Sequence, residues 1–182
     1  MNLPNKLTFL RILLIPLFLV LLYLEFPFHM VAALAVFIVA SLTDMADGFI
    51  ARRQHLVTDF GKFLDPLADK VLVMAALLWF VEAGRMAAWC MLLVVAREFA
   101  VTALRLVAVG RGKVIAAAWS GKIKTASTML GVCVMLILPE LPIAPETVRV
   151  IDALCVTIIV LTTVYSGLEY FIKNRDAFSG EM

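Results

Sequence analysis

Six long apolar runs constrain the fold of this 182-residue chain more than any other feature. Each is close to the roughly 20 residues that a helix needs to cross the hydrocarbon core of a bilayer. The runs lie at 7–24, 29–51, 62–81, 86–109, 117–138 and 147–172. The chain is 63% apolar and has a mean hydropathy of +1.00, well above the values of a soluble domain. We therefore predict an all-α integral membrane protein with six transmembrane helices and a single membrane-embedded domain over 1–182.

Lysine and arginine residues near the ends of these runs predict how the chain is oriented, because cytoplasmic loops carry an excess of both. With the N-terminus inside, only Arg85 and Arg149 face the far side, whereas thirteen basic residues face the cytoplasm. The thirteen are Lys6, Arg11, Arg52, Arg53, Lys62, Lys70, Arg105, Arg111, Lys113, Lys122, Lys124, Lys173 and Arg175. We therefore expect a multi-pass protein of the inner (cytoplasmic) membrane with both termini in the cytoplasm.

Four aspartates flank the cytoplasmic loop between the second and third runs. Asp44 and Asp47 are spaced i, i+3 and share a helix face, and Asp65 and Asp69 follow at i, i+4. Pro66 marks either a first helical turn capped by Asp65 or a kink. Four clustered carboxylates repel one another in a poor dielectric, and oxygen ligands suit a hard cation such as Mg²⁺ or Mn²⁺. The alternatives are four separately solvated acids or a cation pathway.

The residues between these aspartates fit a ligand site, although each has a simpler interpretation. Gly48 and Ala51 lie close to the helix face of Asp44. Their small side chains leave space on that face, either for a ligand or for a neighbouring helix to pack closely. Arg52 can bind phosphate in a forked contact or serve as a cytoplasmic anchor. Gly61 can belong to the site or simply end the loop.

The full pattern resembles the signature of the CDP-alcohol phosphatidyltransferases. Every fixed position is present at the expected spacing: Asp44-x2-Asp47-Gly48-x2-Ala51-Arg52-x8-Gly61-x3-Asp65-x3-Asp69. Flanking segments are similar to the phosphatidylglycerophosphate synthase branch of that family. They are Asn5–Arg11, Asp65–Lys70, Ala96–Glu98 through Leu104–Arg105, and Gly121–Thr125.

The resemblance implies a fold, a reaction and partners. Members of the family have six transmembrane helices, usually form homodimers and hold a divalent metal at the cytoplasmic membrane surface. They move a phosphatidyl group from CDP-diacylglycerol to an alcohol and release CMP. In the branch named above the alcohol is sn-glycerol 3-phosphate. The expected partners are therefore these two substrates, membrane lipids and a second copy of the chain, with no nucleic acid.

The resemblance also implies roles for individual residues. Asp44, Asp47 and Asp65 are expected to hold the metal, with Asp69 as a further ligand or neighbour and as the general base for the acceptor hydroxyl. Asn5 and Thr8 join the donor site by the same resemblance, although both also fit as local helix caps. The expected CDP-diacylglycerol contacts are Asn5, Thr8, Asp47, Gly48, Ala51, Arg52 and Gly61.

A phosphorylated acceptor needs a second basic site. The candidates cluster around the connection between the fourth and fifth runs: Arg105, Arg111, Lys122 and Lys124. Headgroup binding and topology also account for such a cluster. Lys122 and Lys124 are two residues apart, so they do not share a face of a helix that begins before them.

Three further acids, and the arginine next to one of them, have open interpretations. Arg97 and Glu98 lie within the fourth run, as a structural ion pair or as residues that line the site. Asp152 and Glu169 fit interface-level or packing residues of the last run.

Three rival functions remain from the sequence. Another branch of the family would use serine, an inositol phosphate or phosphatidylglycerol as acceptor. A membrane prenyltransferase also uses aspartates and magnesium, but with a different aspartate spacing. A divalent-cation transporter needs polar residues along a path across the bilayer, whereas here the acids lie at one end of their helices.

Overall fold

The computed structural model describes the backbone at 3–54, 59–110, 112, 115–116 and 118–175. Side chains are described at 9–43, 67–68, 70–110, 112, 115–116 and 118–175. Within these ranges the chain is helical and contains no strand, which confirms the all-α prediction.

Each of the six apolar runs forms one helix. In chain order, α1 is Leu3–Tyr23, α2 is His29–Gln54, α3 is Asp59–Glu82, α4 is Ala88–Gly110, α5 is Trp119–Ile137 and α6 is Pro145–Lys173. A 3₁₀ turn at Leu138–Glu140 follows α5. The predicted break between α3 and α4 is a turn in which Gly84 adopts a φ of +68°, a conformation that costs glycine little because it has no Cβ.

Two segments of the described residues are long and apolar enough to cross a membrane, Trp119–Glu140 and Pro145–Lys173. Shorter apolar segments occur at Phe9–Tyr23 and His29–Thr43. The charged residues Arg97, Glu98 and Arg105 interrupt the apolar sequence of α4. Six transmembrane helices therefore stay a prediction.

The chain divides into two compact units. The first comprises the described part of Met1–Trp79 together with Cys133–Ala144. In it α1 packs along α2, and the fully buried rings of Phe18 and Phe37 meet with centroids 5.8 Å apart. These contacts join two consecutive helices, the second of which carries Asp44 and Asp47.

The second unit comprises the described residues of Phe80–Val132 and of the chain from Pro145 onward. In it α4 packs on α6. A Cβ placed on Gly131 of α5 would lie 2.9 Å from Cδ1 of Ile159 on α6. A larger residue there would require the Ile159 side chain to shift. The two helices approach closely, as small residues allow in membrane helix pairs.

A buried ion pair joins the turn before α4 to α6 in this unit. Nε of Arg85 donates to Oδ2 of Asp152 at 2.8 Å, and Nη2 donates to Oδ1 at 2.7 Å. The side chains are only 14% and 6% exposed. Asp152 is thus a packing residue, one of the roles that its sequence position predicted.

Replacing Asp152 by Asn should destabilise the protein by about 3 kcal/mol, because it leaves a buried guanidinium without its counter-charge. Thermal unfolding in detergent micelles should then show a midpoint lowered by roughly 6 to 12 °C. The charge-free double variant Arg85→Met/Asp152→Leu is the control and should recover most of the loss. An unchanged midpoint for Asp152→Asn would show that the pair contributes nothing to stability.

Candidate functional site

The four signature aspartates lie on two consecutive helices of the first unit. Asp44 and Asp47 are on α2 and Asp65 and Asp69 are on α3, and only residues 55–58 separate the two helices. Because α3 already begins at Asp59, Asp65 lies inside that helix and does not cap it. The helical backbone keeps the i, i+3 and i, i+4 spacings that place each pair on one face.

The side chains of these aspartates lie outside the described residues. The same holds for the other expected donor-site residues and for one acceptor-site residue: Asn5, Thr8, Gly48, Ala51, Arg52, Gly61 and Arg111. Within the described side chains no group of three or more His, Cys, Asp or Glu residues could hold a metal. The carboxylate chemistry of the four aspartates fits a hard divalent cation, so the expected metal ligands stay a prediction.

A buried chain of charges connects three helices of the second unit. Oε1 of Glu98 on α4 accepts from Nη1 of Arg97 at 2.8 Å and from Nζ of Lys124 on α5 at 2.7 Å. Nη2 of Arg97 donates to Oγ of Ser166 on α6 at 2.6 Å. The three charged side chains are between 7% and 14% exposed. The ion-pair interpretation of Arg97 and Glu98 is therefore confirmed, and it includes a second cation.

Two glycines make room for this chain of charges. A Cβ on Gly167 of α6 would lie 3.2 Å from Cγ of Arg97, and one on Gly121 of α5 would lie 3.6 Å from its Nη2. At Gly167 a larger residue would displace the arginine stem. The absence of a side chain at Gly167 thus leaves room for the stem of Arg97.

Lys122 and Lys124 point to different environments, as their spacing predicted. The ammonium of Lys122 lies 5.4 Å from the centroid of the Trp119 ring, in a cation–π contact on the exposed face of α5. Lys124 is buried against Glu98. Lys124 thus already has a carboxylate partner. The roles of both lysines in acceptor binding stay predictions.

Arg105 is held by an aromatic residue of α6. Its Nε donates to the hydroxyl of Tyr170 at 2.8 Å, and its guanidinium carbon lies 5.4 Å from the ring centroid. The side chain of Arg105 remains exposed beyond this contact. Tyr170 therefore orients the guanidinium, and its two terminal NH₂ groups have no hydrogen-bond partner within the described part of the chain.

Sequence reasoning missed two contacts, that of Glu98 with Lys124 and that of Tyr170 with Arg105. It also did not predict that Arg11 of α1 is completely buried. An acid inside an apolar run was a signal for Glu98. A tyrosine near the end of α6 gives no such signal.

Residues 1–166 match a family model described as CDP-alcohol phosphatidyltransferase. The chain belongs to this family. The matched range includes all four aspartates and the basic residues from Arg105 to Lys124, so the resemblance in the signature is confirmed. As a CDP-alcohol phosphatidyltransferase, the protein is an enzyme of the transferase class.

Similar curated proteins cover nearly the whole CDP-alcohol phosphatidyltransferase chain. The CDP-diacylglycerol–glycerol-3-phosphate 3-phosphatidyltransferase of Bacillus subtilis (strain 168) is 45% identical over 97% of this chain and 96% of its own. A probable phosphatidylglycerophosphate synthase of Mycobacterium tuberculosis (strain H37Rv) is 37% identical over 94% of this chain and 81% of its own. The CDP-diacylglycerol–glycerol-3-phosphate 3-phosphatidyltransferase of Sodalis glossinidius (strain morsitans) is 34% identical over 96% of this chain and 96% of its own.

Proposed function

We propose that this enzyme transfers the phosphatidyl group of CDP-diacylglycerol to sn-glycerol 3-phosphate, giving phosphatidylglycerophosphate and CMP in phospholipid biosynthesis. The observation that carries the proposal is the 45% identity to a relative whose name states these two substrates, with 97% of this chain and 96% of that protein covered. The other branches of the family, with serine, an inositol phosphate or phosphatidylglycerol as acceptor, are the alternatives.

The proposed location is the inner membrane, with six transmembrane helices and with both termini and the active site cytoplasmic. The donor has acyl tails in the bilayer and a charged nucleotide in water, so its reacting phosphorus lies at the interface. Aspartates near the inner ends of α2 and α3 lie at that depth in the proposed topology. One catalytic domain per chain, assembled as a homodimer, completes this arrangement.

The proposed chemistry is an in-line displacement at phosphorus. The acceptor hydroxyl oxygen attacks the phosphorus that carries the diacylglycerol, the bond from that phosphorus to the CMP oxygen breaks, and CMP leaves. Asp69 takes the proton of the hydroxyl, because a carboxylate within reach of a reacting hydroxyl serves as a general base. Placing the two substrates in line is most of what such a transfer requires of a protein.

Asp44, Asp47, Asp65 and Asp69 are the proposed ligands of Mg²⁺ or Mn²⁺. A bound divalent ion there would neutralise pyrophosphate charge and make CMP a better leaving group. The proposed donor contacts are Asn5, Thr8, Asp47, Gly48, Ala51, Arg52 and Gly61, and the proposed acceptor-phosphate contacts are Arg105, Arg111, Lys122 and Lys124. Of these basic residues, Arg105 presents an open guanidinium edge in the described part of the chain.

A panel of acceptors tests the proposal directly. Purified protein in lipid nanodiscs should release CMP from CDP-diacylglycerol when glycerol 3-phosphate is added with Mg²⁺ or Mn²⁺. Serine, an inositol phosphate and phosphatidylglycerol should give no release above the acceptor-free background. A site built from several cations favours a phosphorylated acceptor over serine, because it matches the phosphate of that acceptor. The preference for glycerol 3-phosphate over an inositol phosphate rests on the named relative with 45% identity.

A chelator control and a liposome assay make the panel decisive. Removal of divalent ions by EDTA should stop CMP release, and added Mg²⁺ or Mn²⁺ should restore it. If only a different acceptor gives CMP release, that acceptor takes the place of glycerol 3-phosphate in the proposed reaction. Divalent-cation flux across sealed liposomes without CDP-diacylglycerol would instead support the transporter.

A further inference from the structure

The contact between Arg105 and Tyr170 joins an exposed cation to a buried ring. Tyr170 is 2% exposed, and its hydroxyl accepts the Nε hydrogen of Arg105 at 2.8 Å. Arg105 lies near the end of α4 and Tyr170 near the end of α6, 65 residues apart in sequence. The arginine is therefore oriented by a residue that itself lies in the packed interior of the second unit.

The tyrosine ring is fixed from several sides. It packs in a cluster with Val101 and Leu104 of α4, and the partly buried Ile115 and Ala118 lie against this cluster. Well-packed interiors leave a ring little freedom to move. The hydroxyl of Tyr170 is thus a fixed acceptor rather than a mobile one.

Among the described residues, the remaining hydrogen-bonding capacity of Arg105 is open. A guanidinium has five N–H groups in a fixed fork, and here Nε uses one of them. Neither terminal NH₂ group has a hydrogen-bond partner among the described residues. By contrast, Arg85 and Arg97 of the same unit direct terminal nitrogens at carboxylates. Arg105 is held at one edge and keeps its other edge for an anion.

We infer that Tyr170 is a positioning residue for the acceptor phosphate, acting through Arg105. With Nε occupied by the tyrosine, the phosphate is bound end-on by the two NH₂ groups, a bidentate geometry that arginine forms readily. This inference rests on the proposed function, because it takes the phosphate to be that of glycerol 3-phosphate. It assigns a role to a residue that lies outside the signature and does not touch the substrate.

The Tyr170→Phe variant removes the hydroxyl and keeps the ring in its cluster. The Michaelis constant for glycerol 3-phosphate should rise about tenfold, since a hydrogen bond to a charged group is lost. The Michaelis constant for CDP-diacylglycerol and kcat should change by less than about twofold, because these depend on the aspartate site. Tyr165→Phe is the matched control, because Tyr165 lies on the same helix with an exposed ring, and it should match the wild type.

A double-mutant cycle separates positioning from general structural damage. Arg105→Ala should raise the Michaelis constant for glycerol 3-phosphate more than Tyr170→Phe does. In the Arg105→Ala background, Tyr170→Phe should add no more than about a twofold change, because its effect passes through the arginine. Equal fold-changes in both backgrounds would overturn the inference, as would equal effects of Tyr170→Phe on donor and acceptor.

The wild-type enzyme distinguishes failure of the inference from failure of the proposed function. If the wild type releases CMP with saturable dependence on glycerol 3-phosphate and Tyr170→Phe behaves identically, the positioning role alone is wrong. If the wild type does not use glycerol 3-phosphate, the proposed acceptor and the inference both fail.

Discussion

Asp69→Asn should reduce CMP release by a factor of about a hundred to ten thousand while CDP-diacylglycerol binding is largely kept. General bases contribute this much to rate, and asparagine cannot take the proton of the acceptor hydroxyl. Turnover would be followed by CMP release, and donor binding by titration calorimetry in nanodiscs. The substitution keeps the size of the side chain, so loss of activity with retained binding points to proton transfer.

Asp59→Asn provides the matched control for this experiment. Asp59 is the first residue of α3 and lies outside the signature, so its replacement should leave turnover near the wild-type value. Near-normal turnover of Asp69→Asn would remove Asp69 from the mechanism. Loss of donor binding together with turnover would assign Asp69 to metal binding alone.

Glu98→Gln should be the most destabilising of the substitutions considered, at about 5 kcal/mol, because it removes the counter-charge of two buried cations at once. The thermal midpoint in detergent micelles should fall by roughly 10 to 20 °C. Adding Lys124→Met removes one of the two buried cations that Glu98→Gln leaves without a counter-charge. It should recover part of the lost stability. The recovery measures the coupling between Glu98 and Lys124.

The ion pair of Glu169 with the exposed Lys173 supplies the comparison for Glu98. These two residues are one turn apart on α6 and form an ion pair at the surface. Ion pairs in solvent contribute little to stability, so Glu169→Gln should leave the midpoint nearly unchanged. Equal shifts for Glu98→Gln and Glu169→Gln would contradict the structural role of the buried network.

The helices were predictable because each depends on local sequence. An apolar run of about 20 residues favours a helix because a helix satisfies its own backbone hydrogen bonds. Gly84 marked a recognisable turn. The different environments of Lys122 and Lys124 were also predictable, since the helical period separates residues two apart. The exact start of α3 was not, because the predicted run begins at 62 whereas the helix already begins at Asp59.

The pairings in the second unit could not be predicted from the sequence. Glu98 lies 26 residues from Lys124, Arg85 lies 67 residues from Asp152, and their contacts depend on how neighbouring helices are rotated. The signature aspartates could be recognised without knowledge of the helix packing. Four charges in an apolar sequence are energetically costly, so they indicate a functional site. Their ligand roles stay predictions, since their side chains lie outside the described residues.

The adjacency of Arg97 and Glu98 has a consequence for biogenesis. In a chain that enters the bilayer helix by helix, α4 arrives with a guanidinium and a carboxylate that already neutralise each other. Lys124 and Ser166 emerge later, so α5 and α6 meet a partner that is in place before them. In the proposed membrane topology, the order of synthesis would thus place the carboxylate of α4 before the lysine of α5 that pairs with it.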